Sequence, residues 1–188
     1  MRWLRTRARA ALVTLLACTP AFAGEPGEGR SIQHRGQVIE YLHLAHPADV
    51  LMPPGNGPRA PDSPVHTFQL IGRHLVAGDL EEAALLSNEP KRRYEVLRDY
   101  RASVGEEAFR KVYARYFDPG NRIVAEARIG DHSLLVVRLA SERRLAGQYY
   151  AKVEDRWLTD DVPSETRQKL RGILEHLRRE AASPPEKE

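Results

Sequence analysis

The side chains with the clearest chemical potential are histidines and carboxylates, and they fall in three short groups. His43 and His46 flank Leu44 and Ala45, with Asp49 beyond. Imidazoles and a carboxylate are metal-ligand types, but a transition-metal site needs three or four convergent donors. Positions three apart on a strand face opposite ways, and Pro47 argues against a helix that would align them. The two histidines are therefore expected on the surface or in packing, with no metal. Asp131 and His132 are adjacent; strand neighbours face apart, so they are not expected to act as an acid–base pair. Asp160-Asp161 could supply a pocket acid, although a capping or solvated role is the simpler expectation. The pairs Arg92-Arg93, Arg143-Arg144 and Arg178-Arg179 read as solvated faces balanced by nearby glutamates.

Aromatic residues form the second class. Tyr94, Tyr113 and Tyr116 fall in helical stretches, and Tyr149, Tyr150 and Trp157 in strand-like ones. From these, Tyr113, Tyr116, Tyr149 and Trp157 are the candidate lining of a ligand pocket. The competing reading is plain core packing, with one of Tyr149 and Tyr150 inward and the other facing water. The sequence contains no GxSxG, P-loop, GxGxxG, HExxH or CxxC pattern. No catalytic residue and no cofactor is assigned.

The elements that must position these residues can be read from periodicity. Gly24–Ser31 is Gly-rich, polar and expected to be flexible, and Gln37–Leu44 alternates as a strand. Residues 53–64 hold five prolines and two glycines, which makes a loop or linker. Ser63 can cap a helix with Pro64 in its first position, and Val65, Phe68, Ile71, Leu75 and Val76 follow helical spacing. Gly78 offers a stop. Asp79 and Glu82 suggest a capping box for a short helix carrying Leu80, Ala83, Ala84 and Leu85. After a turn at 87–90, a third helix is expected over 91–101. A second capping box at Ser103–Glu106 leads a fourth helix with Phe109, Val112, Tyr113 and Tyr116 inward.

The period then changes. Ile123, Ala125, Ala127 and Ile129 alternate, Gly130-Asp131 reverses the chain, and Ser133–Ala140 reads as a strand. Residues 141–144 are expected to be a hairpin loop, followed by strands at 145–153 and 156–159. Ser164 caps a last helix with Leu170, Ile173, Leu174 and Leu177 on one side. This order predicts an α+β fold: N-terminal helices on one face of a curved antiparallel sheet, with an extra C-terminal helix.

The amino terminus carries a different message. Arg2, Arg5, Arg7 and Arg9 precede the apolar run 10–18, and Ala21-Phe22-Ala23 presents small residues at −3 and −1 of a cleavage site. This is the pattern of an export signal over 1–23, predicting a periplasmic or secreted protein that starts at Gly24. The whole chain has 29 basic and 26 acidic residues; without those four arginines the count is 25 against 26, a formal −1. The apparent basicity therefore gives no reason to expect nucleic-acid binding. Cys18 is the one cysteine. Leu15-Leu16-Ala17-Cys18 is also lipobox-like, and acylation of Cys18 would instead anchor the protein in the bacterial envelope.

Two segments carry a family resemblance. TFQLIGRHLVAGDLEEAALLS and QYYAKVEDRWLTDDV resemble the opening helices and closing hairpin of the NTF2-like (cystatin-like) superfamily. The resemblance spans residues 63–162, with 24–62 as a strand-containing extension and Pro/Gly-rich linker, 163–182 as an added helix, and 183–188 as a disordered tail. It implies a curved sheet around helices with an apolar pocket, and a function not fixed by the fold. The strand at 37–44 and the helix at 164–181 depart from the family pattern, and either could plug or cover that pocket. The acid and Tyr or His pair of the isomerase-type members has no matched position here. The expectation is a non-catalytic exported domain binding a small apolar ligand or an envelope protein. The alternatives are a small isomerase or hydrolase using a pocket carboxylate or tyrosine, and a periplasmic inhibitor or immunity-type protein.

Overall fold

The computed structural model describes residues 27–46, 57, 59–140 and 144–182. The expected export signal with Cys18, Asp49, residues 53–56 and 58 of the Pro/Gly-rich linker, residues 141–143 of the expected hairpin loop and the 183–188 tail lie outside the described residues. The class is α+β: the described residues form six strands in the order β1-β2-β3-β4-β5-β6, with every neighbouring pair antiparallel, and five helices. No helix among the described residues is long and apolar enough to cross a membrane.

The first hairpin is β1 (Glu28–His34) and β2 (Gln37–Ala45). β2 is the strand expected from its alternation. β1 corrects the expectation that Gly24–Ser31 is flexible, for its described part from Glu28 on. Six of its seven residues are not buried and only Ile32 is, so no apolar pattern announces it. Its stability comes from the ladder, and from Arg35 and Gly36, whose φ of 49° and 79° fit the two-residue turn that right-handed strands favour.

α1 (Pro64–Ala77) begins as expected: the Ser63 side chain accepts from the His66 N–H at 3.1 Å, and Gly78 ends the helix in the left-handed region. α2 (Leu80–Ala84) lacks the expected capping box, since Asp79 makes no side-chain cap bond. Its inward residues are Leu80, Ala83 and Ala84, followed by buried Leu86; Leu85 is exposed instead. α3 (Pro90–Val104) absorbs Ser103, whose hydroxyl donates to the Tyr100 carbonyl, so the second capping box is also not formed. α4 (Glu106–Tyr116) follows directly from Gly105 and buries Phe109.

β3 (Arg122–Ile129) and β4 (His132–Leu139) form the next hairpin. Simple alternation places Ile123 with Ala125 and Ala127. A register shift between Ile123 and Ala125 breaks that alternation. Ile123 joins Phe68, Leu135 and Trp157, whereas Ala125 and Ala127 join Leu134 and Ile173 on the other face. β5 (Arg144–Val153) and β6 (Arg156–Thr159) complete the sheet.

Helices lie on both faces. α1, with α2–α4 behind it, covers one face through Phe68, Tyr113, Tyr116 and Phe117. α5 (Glu165–Ala182) covers the other with Leu170, Ile173 and Leu174, and Ser164 caps it as expected. The C-terminal helix therefore leaves the α1–α4 side of the sheet unplugged.

Candidate functional site

The α1–α4 layer does not close completely on the sheet. A cavity of about 240 Å³ remains between them. α1 supplies Phe68, Ile71 and Leu75, α2 supplies Ala83, α3 supplies Leu97 and Arg93, and α4 supplies Tyr113 and Tyr116. The floor is sheet: Gln148 and Tyr150 of β5 and Thr159 of β6. Helical spacing explains the walls, because Ile71 and Leu75 stand one turn apart, as do Arg93 and Leu97. Most of the lining is apolar or aromatic, with a few polar groups toward β5 and β6, a composition typical of ligand sites. No carboxylate lines it among the described residues.

The four aromatic candidates do not come together. Tyr113 and Tyr116 line the cavity. Trp157 lies on the same face but within the core, beneath the Arg128 guanidinium at 5.0 Å. Tyr149 lies on the α5 face, where Arg167 stacks over its ring at 5.4 Å. Its neighbour Tyr150 is the cavity residue, 1% exposed. Strand alternation predicts that only one of the two tyrosines can face the cavity, but not which one. Burial pushes the Tyr150 hydroxyl far above its ordinary range, so it is a neutral phenol and a hydrogen-bond donor at physiological pH.

Below this cavity, buried polar groups fasten the helices to the end of the sheet. The backbone exchanges Asn88 N–H to Thr159 O (3.0 Å) and Thr159 N–H to Leu86 O (2.8 Å). Asn88 donates its amide to Asp160 at 2.9 Å and accepts from the Asp161 N–H at 2.8 Å. Asp161 takes a fork of two bonds from Arg93, at 2.7 and 2.5 Å, and one from Ser87. His132 Nδ1 lies 3.2 Å from Asp160. These contacts correct two expectations. Asp160 is 1% exposed rather than solvated, and Arg93 is half-buried in an ion pair rather than on a solvated face.

Sequence reasoning did not single out Glu126. Its side chain is 1% exposed on the α1–α4 face and is held by Arg128 (2.5 Å), Ser133 (2.8 Å) and His46 (3.2 Å). Burial pushes this carboxyl up, but the bonds from His46, Arg128 and Ser133 and the Arg128 charge outweigh it. The net effect holds Glu126 below the usual carboxylate range. No local pattern marks this acid: the register shift between Ile123 and Ala125 and its three partners make an inward place for it. His43 and His46 diverge, as strand geometry requires. His46 reaches Glu126, while burial, the main cause, pushes the His43 imidazole down.

The buried acids are thus tied to cationic and polar partners, and none opens into the cavity. A scan against protein-family models and searches of curated proteins and of solved structures give no match for this chain.

Proposed function

We propose that this chain is an exported, non-catalytic binding domain whose ligand is a small, mostly apolar molecule held between α1–α4 and the sheet. The observation that carries the reading is the cavity of about 240 Å³ with aromatic and aliphatic walls and no carboxylate among its described lining residues. That volume falls between a cavity of roughly 150 Å³ that takes benzene and the roughly 300 Å³ of the smaller drug-sized pockets. It suits one or two rings or a short branched chain. Tyr150, Gln148 and Thr159 can orient one polar atom of such a ligand by hydrogen bonding. The signal-like residues 1–23 support action outside the cytoplasm, in the periplasm or beyond. The resemblance over 63–162 to NTF2-like proteins is compatible with a pocket of this kind.

Thermal unfolding with indole, cyclohexanol and short-chain alcohols tests the proposal. A saturable rise in Tm is expected, and it should disappear in Ala83→Leu, whose added carbons occupy the cavity. An unchanged Tm with every probe, or equal rises in wild type and Ala83→Leu, would count against ligand binding there.

A further inference from the structure

The structure holds a second cavity of different chemistry. It lies between α3 and the start of α5 and measures about 400 Å³. Arg92, Arg93, Arg167 and Arg171 converge on it, together with Asp161 and Ser164. Four guanidiniums against one carboxylate give a local formal +3. In a chain whose total is −1 without its four N-terminal arginines, this is a marked concentration of one sign.

The arginines are not consumed by ion pairs. Arg93 is held by Asp161. Among the described residues, Arg92, Arg167 and Arg171 have no carboxylate within ion-pair distance. Arg167 Nε is buried without a hydrogen-bond acceptor. Its guanidinium is fixed in place by stacking on Tyr149 at 5.4 Å, so its position does not depend on an anion. Arginine presents planar N–H forks that match oxyanions in a bidentate manner. Folding brings these like charges together at a cost, which an anion in the cavity would relieve. Ser164 caps the 18-residue α5 at the same cavity, so that helix's positive end adds to the potential.

We propose that the α3–α5 cleft is a binding site for a phosphate-class oxyanion, free or carried on a larger molecule. Arg92, Arg167 and Arg171 supply the contacts, and Arg93 stays with Asp161 as the cleft wall. This inference is independent of the apolar cavity.

Isothermal titration of the full chain with pyrophosphate tests it, in parallel with co-sedimentation on phosphatidylcholine vesicles with and without phosphatidylglycerol. Arg92→Gln combined with Arg171→Gln removes two exposed guanidiniums from the rim without opening the core. Pyrophosphate binding that this pair weakens about tenfold or more, but that Arg98→Gln elsewhere on α3 leaves unchanged, supports the site. Binding only to the phosphatidylglycerol vesicles, also lost in the double variant, supports it with a lipid headgroup as the source. If neither pyrophosphate nor vesicles bind, or if binding survives the double variant, the proposal is overturned. The single Arg167→Lys change is a second check: it keeps the charge but loses the fork, so it should also weaken binding. Affinity equal to wild type in that variant would contradict bidentate recognition.

Discussion

The two faces of the sheet solve the same packing problem differently. On the α5 face, Leu134, Val136, Leu145, Leu170, Ile173 and Leu174 form one closed apolar cluster. α5 sits so close to β5 that a Cβ on Gly147 would lie 2.5 Å from Leu174 and 2.9 Å from Leu134. On the α1–α4 face, Phe68, Phe117, Leu135 and Trp157 also pack against one another, yet the four helices leave space above β5 and β6 unfilled. A cavity stays open there, and hydrogen bonds through Asn88 together with the Arg93–Asp161 ion pair tie the layer to the sheet at its lower edge. One helix laid along a sheet can be closed with a glycine; a stack of helices leaves room. The closed face serves stability, and the open face is the one with space for a ligand.

Four substitutions test this contrast, starting from the greatest expected effect. Ile173→Ala empties part of the closed cluster, where Ile173 is 0% exposed, and should cost about 2–5 kcal/mol. Urea unfolding would show a fall in midpoint with an unchanged slope; a loss below about 1 kcal/mol would mean α5 is not packed as described. Glu126→Gln disturbs the polar side and leaves Arg128, 15% exposed, without its carboxylate; about 2–4 kcal/mol is expected at neutral pH. The pH dependence has a defined sign. The folded carboxyl lies below its ordinary 4.5, so its contribution is present above that value and is lost as pH falls through the depressed one. Glu126→Gln should therefore flatten this part of the acid limb of a stability–pH curve, and an identical limb in the variant would contradict the assignment.

The smallest effect comes from adding bulk to each face. Gly147→Ala inserts a methyl where no space exists and should cost about 1–3 kcal/mol. Ala83→Leu inserts three carbons into the cavity wall and should change stability by less than about 1 kcal/mol, because the space is already there. Equal costs from differential scanning calorimetry would erase the distinction between the faces.

Much of this fold was legible in the sequence, for identifiable reasons. The helices declared themselves through Ser63-Pro64, Gly78, Ser164 and apolar residues at helical spacing, and the strands after Asn121 through alternation. β1 was not legible, because its residues are mostly exposed and its partner strand supplies its order. The capping boxes at 79–82 and 103–106 matched the pattern without forming, since a short motif records compatibility and the tertiary fold decides whether it is used. Of the candidate lining, Tyr113 and Tyr116 were readable from helix phase, whereas choosing between Tyr149 and Tyr150 needed the strand's orientation. Glu126 and the arginine cleft were hidden for one shared reason. Each depends on residues far apart in sequence, His46 with Glu126 and Arg93 with Arg167, which only the folded chain brings together.

The central claim is that the open face, and not the closed one, accepts an apolar guest. Methyl NMR during a titration with indole tests it most directly. The account predicts saturable shifts at Ile71, Leu75 and Leu97, which line the cavity, with Leu170, Ile173 and Leu174 unmoved. Shifts centred on the α5 residues, or none that saturate on either face, would contradict it.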